Sequence, residues 1–123
     1  MYSVAPNIVL TITNNDFYAM TTDFSVAADE QTLMDTIKTN VGDRGGMIYV
    51  KGNGVDTTIT STNNNFFKNY LAKEGGAFTL LDCKLVESNS DFNYLAALKG
   101  GVISCNNCAF TLTTSIFTNT RAY

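Results

Sequence analysis

The residues of this 123-residue chain that could do chemistry are three cysteines, eleven acids and eight bases; there is no histidine. Without an imidazole there is no His-based triad, no side chain with an ordinary pKa near neutrality and no usual zinc ligand. Cys105-Asn106-Asn107-Cys108 has CxxC spacing. A redox CxxC sits at the start of a helix, and this one lies among strand and turn residues. A zinc site needs two further ligands, and only Cys83 with an acid such as Asp82 is at hand. Cys83, Cys105 and Cys108 therefore read as packed thiols or one disulfide, with at least one thiol left over. Asp56 and Asp82 repeat in register and are the one acid pair that could serve a carbohydrate-cleaving site. With no basic partner fixed beside them they read as exposed turn residues. Gly52-Asn53-Gly54 lacks the later glycine and the βαβ context of a nucleotide fingerprint and reads as a tight turn. No catalytic, cofactor-binding or metal-binding residue is assigned, and no enzyme activity or cofactor is expected.

The elements that must carry these residues are strands. The chain holds 17 Thr and 14 Asn, is 45% hydrophobic and only 15% charged. Thr favours strands, and Asn is a turn residue that tolerates left-handed backbone. A net charge of −3 with no basic run disfavours nucleic acid and anionic membrane surfaces. No apolar run approaches the roughly 18 residues of a spanning helix. The first residues lack the basic n-region of a signal peptide.

The C-terminal half repeats when displaced by 25 positions. Phe67 falls on Phe92 and Phe117, Ala72 on Ala97, Gly75-Gly76 on Gly100-Gly101, Cys83 on Cys108, Leu85 on Phe110 and Ser90 on Ser115. Upstream the register loosens: Gly45-Gly46 lies over Gly75-Gly76 with a shift of 30, and Ile59 over Leu85 with a shift of 26. NIVLTITNNDF, from Asn7, echoes the same pattern. Units of about 25 to 30 residues with two or three short strands each match the coils of a parallel β-helix. Crossover connections favour the right-handed form. Phe67, Phe92, Phe117, Ala72, Ala97, Leu85 and Phe110 are then the stacked core. Gly45, Gly46, Gly75, Gly76, Gly100 and Gly101 make the turns, where positive φ and absent side chains are needed with neighbours ~4.8 Å away. Cys83 and Cys108, one coil apart, fall within bridging range. Asn63-Asn64-Asn65 reads as a turn or an asparagine ladder at a coil corner.

FFKNYLAKEGGAF contains FxxN, at Phe66 and Asn69, followed by GGA at Gly75 to Ala77. It resembles the paired FxxN and GGA(I/L/V) repeats of the polymorphic outer-membrane protein family and of related β-helix surface proteins. The resemblance runs from about Ile37 to Tyr123, with both motifs intact in one unit. It implies a cell-surface or extracellular location, a structural role often in adhesion, and no catalytic residues.

Residues 45–123 are expected to form regular coils, the last one incomplete, and residues 1–44 an N-terminal cap or irregular first coils. Within the latter, Leu33, Ile37 and Val41 have helical spacing, with Asp29 as N-cap and Gly42 after the last turn, so 29–42 reads either as a short capping helix or as a further coil. An incomplete last coil leaves an open edge, which other copies of the chain or flanking segments of a longer chain would complete by end-to-end stacking. The expected function is a structural or adhesive solenoid of a surface protein or filament. The alternative is a carbohydrate-binding or carbohydrate-cleaving β-helix, for which glycans are the partner and a groove of exposed aromatics and paired acids the sign.

Overall fold

A computed structural model describes residues 2–4, 9–18, 46–52 and 57–122 of the chain. All the regular structure among them is strand, and every strand pairing is parallel. The strands fall in three sheets, and the chain visits the sheets in turn. Sheet A holds β1 (Tyr2–Val4), β4 (Ile48–Lys51), β7 (Phe78–Leu81) and β10 (Ile103–Asn106), in that order. Sheet B holds β2 (Val9–Thr13), β5 (Thr58–Thr62), β8 (Lys84–Ser88) and β11 (Ala109–Thr113). Sheet C holds β3 (Asp16–Tyr18), β6 (Asn65–Glu74), β9 (Asp91–Lys99) and β12 (Ile116–Thr118), and β13 (Arg121–Ala122) pairs with the far half of β9. One passage through A, B and C makes one tier. The strands β1, β2 and β3 supply the first of the described tiers, one in each sheet.

The register between tiers follows from where side chains alternate. In sheet B the inward column is Leu10, Ile59, Leu85 and Phe110, and two residues on it is Ile12, Ser61, Glu87 and Leu112. In sheet C the inward column is Phe17, Phe66, Phe92 and Phe117. Its rings stack at centroid separations of 4.8, 5.0 and 4.9 Å and are within 10° of parallel. That spacing is the interstrand distance itself, so identical rings on successive strands are brought face to face by the ladder. Phe78 of sheet A lies 5.0 Å from Phe66, and with Ile48, Val50, Leu80, Ile59, Leu85 and Leu95 it joins the three sheets into one core.

Two corrections to the sequence register follow. Phe66, not Phe67, stacks on Phe92, and Phe67 pairs with Asn93 on the outer face. The offset between these tiers is 26 up to Asn69↔Leu95 and 25 from Ala72↔Ala97 onward, because a bulge-like irregularity between Asn69 and Ala72 absorbs one residue. The irregularity is what lets the phenylalanines and the glycine pairs both stay in step. Between the first and second tiers the offset in sheets B and C is 49. Gly45 and the whole 29–42 stretch lie outside the described residues.

The corners use two kinds of residue. At the corner from C to A, Gly75 and Gly100 have φ of +51° and +61°, and a Cβ on Gly75 would run into the Phe78 carbonyl oxygen. Gly46 also has positive φ, whereas Gly76 and Gly101 do not. At those two the requirement is room: a Cβ on Gly76 would meet the Gly101 carbonyl oxygen and come within 2.9 Å of Leu95 Cβ. The B-to-C corner carries no glycine. Asn14, Asn63, Asn89 and Thr114 occupy it with φ between 53° and 58°. Asn tolerates this region because its short amide bonds locally. Each backbone N–H of Asn14, Asn63 and Asn89 donates to the carbonyl of the next tier at 3.1 Å.

Candidate functional site

Behind that corner runs a polar column, Asn15, Asn64, Ser90 and Ser115. Asn64 is fully buried; its amide donates to the Ile12 carbonyl and to Ser61 Oγ at 2.9 Å each, and its Oδ1 accepts from the Asn15 N–H at 2.9 Å. The Asn64 N–H donates to Ser90 Oγ at 3.0 Å. Of the two readings of Asn63-Asn64-Asn65 the turn is present, with Asn63 in the left-handed region; the inward column has one Asn–Asn step and continues as serines, and it satisfies the corner backbone. Beside it stands Glu87, whose residue is completely buried. Neither carboxyl oxygen makes a hydrogen bond of good geometry. Burial pushes its pKa up, while the nearby Ser61 and Ser90 hydroxyls and the Ser88 backbone favour the charged form in part.

Of the expected core, Phe92, Leu85 and Ala97 are buried completely. Ala72 pairs with Ala97. Phe110 and Phe117 hold the expected columns but are 52% and 43% exposed. They belong to the C-terminal tier, and among the described residues no strand pairs on the far side of β11 or β12. Every residue of β11 and β12 is exposed, and β10, β11 and β12 contain no charged side chain. Among the described residues, β10, β11 and β12 therefore present an uncharged edge of mixed apolar and hydroxyl side chains, and the flanking β13 adds the exposed Arg121.

The cysteines divide differently from the repeat equivalence. Cys105 and Cys108 form a disulfide with Cα atoms 5.8 Å apart. Cys83 is a buried free thiol, and burial raises its pKa to about 11, so it is not a poised nucleophile. Cys83 and Cys108 are in register, with the Ala109 N–H donating to the Cys83 carbonyl, but they are not bonded to each other. Among the described residues no three potential metal ligands converge. Asp82 has φ of 51° at the A-to-B corner and accepts at 2.7 Å from Asn107 of the next tier. Asp56 lies outside the described residues, and so does its suggested pairing with Asp82.

Among the described residues a concave feature of the outer surface lies on sheet C, where the sequence drew no attention. Outward positions form two columns: Asp16, Asn65, Asp91 and Ile116, and beside it Tyr18, Phe67, Asn93 and Thr118. Asn65 Nδ2 donates to Asp16 Oδ1 at 2.6 Å, and the Tyr18 and Phe67 ring centroids are 5.0 Å apart, with the rings tilted. Between the columns lies an open groove of about 370 Å³, lined by Asp16, Asn65, Phe67, Asp91, Asn93 and Tyr94, with Phe66 at its floor. Tyr94 is 43% exposed and has φ of +55°. Asn93 Oδ1 is shielded from solvent and has no hydrogen-bond partner within the protein. The only sequence signal for this groove was the alternation within DFY, NFF and DFNY, which becomes legible once the 26-residue register is known.

No family model, no curated protein and no solved structure matches this chain, so its fold and surfaces are what any functional reading has to rest on.

Proposed function

We propose that the chain is a right-handed parallel β-solenoid and serves as a structural or adhesive element of an extracellular or cell-surface protein or filament, without catalytic activity. The observation that carries this reading is the C-terminal tier. Natural proteins protect an exposed sheet edge with charge, proline or a covering element, and among the described residues β10, β11 and β12 carry none of these, the one charge on this tier being Arg121 of the short β13. The inward residues at the two ends also correspond by type: Leu10 with Phe110, Ile12 with Leu112, and Phe17 with Phe117. A further tier, from another copy of the chain or from a flanking segment, would extend the same columns, and a head-to-tail contact of this kind gives an open filament. The Cys105–Cys108 disulfide suits an oxidising compartment. The resemblance of FFKNYLAKEGGAF to the polymorphic outer-membrane protein repeats is in keeping with this reading.

The test is the mass and length of the native assembly by negative-stain microscopy and light scattering. Fibres or elongated oligomers that disperse in a Leu112→Lys, Phe117→Lys double variant are expected. Compact 13.4 kDa monomers at every concentration would contradict self-stacking.

A further inference from the structure

We propose that the groove on the outer face of sheet C binds a neutral oligosaccharide. This goes beyond a scaffold role and does not depend on end-to-end stacking, because the groove lies on the side of the stack and not at its end.

Four features of the groove support the assignment. Phe67 and Tyr94 line it with aromatic side chains, the Phe67 ring being braced by Tyr18, and aromatic faces pack against the apolar C–H faces of sugar rings while leaving hydroxyls free. Hydrogen-bonding groups of both kinds sit among these rings: the carboxylates of Asp16 and Asp91 accept, and the amide of Asn65 both donates and accepts. Asn93 also lines the groove beside Tyr94 and brings a second amide to this set. The third feature is the volume of the groove, about 370 Å³, which falls within the range of small-molecule sites.

The backbone at Tyr94 is the fourth feature. It holds a left-handed conformation in which a bulky aromatic is a rarity. Its counterpart one tier on is Asn119, at φ of +52°, the ordinary choice for such a position. A tyrosine kept there in place of asparagine or glycine is disfavoured by the backbone, and strain of this sort gathers at ligand sites. What the strain supplies is a ring held half out of the surface beside the Asn93 amide.

Charge narrows the class. The lining contains two carboxylates and no cation among the described side chains, so uronate-bearing or sulfated chains are repelled and neutral chains are not.

The experiment is a titration of the full chain, followed by backbone amide NMR shifts at physiological salt. The probes are neutral hexasaccharides of β-1,4-glucose, β-1,3-glucose, α-1,4-glucose and β-1,4-N-acetylglucosamine, with a galacturonate hexamer as the anionic control. At least one neutral probe is expected to shift the amides of Asn65, Asn93 and Tyr94 saturably, and the galacturonate probe is not. Tyr94→Gly should weaken that binding by about tenfold with the melting temperature unchanged or raised, because glycine relieves the φ. Should this variant melt lower, Asn93→Ala, at an outward position, carries the same expectation of weakened binding in a folded chain. The proposal is overturned if no neutral probe perturbs these amides at millimolar concentration. Equal binding by the galacturonate probe, or binding that survives both substitutions, overturns it as well.

Discussion

Phe92 and Phe117 occupy one column, one tier apart, with their rings 4.9 Å from each other, yet Phe92 is completely buried and Phe117 is 43% exposed. The same contrast separates Leu85 from Phe110 in sheet B. At the other end of the stack Ile12 is only 3% exposed, whereas its column-mate Leu112 is 36% exposed. Membership of an inward column is thus not sufficient to bury a residue. A side chain in such a stack is buried by the tiers above and below it as much as by its own, so the C-terminal tier contributes less stability per residue and offers more surface for association.

Substitutions can break this comparison, and the largest effects belong to the interior. Phe92→Ala should cost roughly 3–5 kcal/mol, because it opens a cavity between two stacked rings, measured as a shift in the urea midpoint. Gly75→Val should be comparably severe, since the new side chain meets both a positive φ and the Phe78 carbonyl. Reduction of Cys105–Cys108, which closes a loop with a sequence separation of 3, should cost about 2 kcal/mol from chain entropy, read as a lower melting temperature in reductant. Phe117→Ala should cost the least, about 1 kcal/mol in the unassembled chain, because half of its ring is already in water. If Phe117→Ala and Phe92→Ala cost the same, the contrast between interior and C-terminal tier fails.

Glu87 sharpens the comparison through pH. Its folded pKa is raised above its unfolded value, so the folded state holds the proton more tightly than the unfolded chain. Stability is then greatest below the ordinary carboxyl range of about 4.3 and declines as pH rises through the raised folded pKa. Glu87→Gln should be more stable than the parent at neutral pH and lack that decline, as a series of denaturation curves against pH would reveal.

The sequence carried the architecture because stacking forces like onto like: the glycine pairs, Leu85 with Phe110 and Ser90 with Ser115 all recur at the spacing the strands adopt. It misassigned Phe67 because Phe66-Phe67 is a doublet, and identity alone cannot tell which ring faces in when a later irregularity shifts the register by one. Glycine pairs marked one corner and Asn63-Asn64-Asn65 another, whereas Asn14, Asn89 and Asn107, which share the left-handed backbone, were not singled out because they do not recur at one fixed spacing. The cysteine equivalence was sound as register, but Cys108 pairs with the sequence-local Cys105. The groove was out of reach, since it joins Asp16 to Asp91 across two interstrand steps and an offset of 49 that no uniform period contains.

The most direct test of a stack with a buried middle and an open C-terminal edge is amide hydrogen exchange in the unassembled and assembled chain. In the unassembled chain the β8 and β9 amides should exchange only through global unfolding, while those of Phe110, Leu112 and Phe117 exchange orders of magnitude faster. On assembly the second group should become protected. Equal protection of β9 and β12 in a monomeric chain would contradict the account.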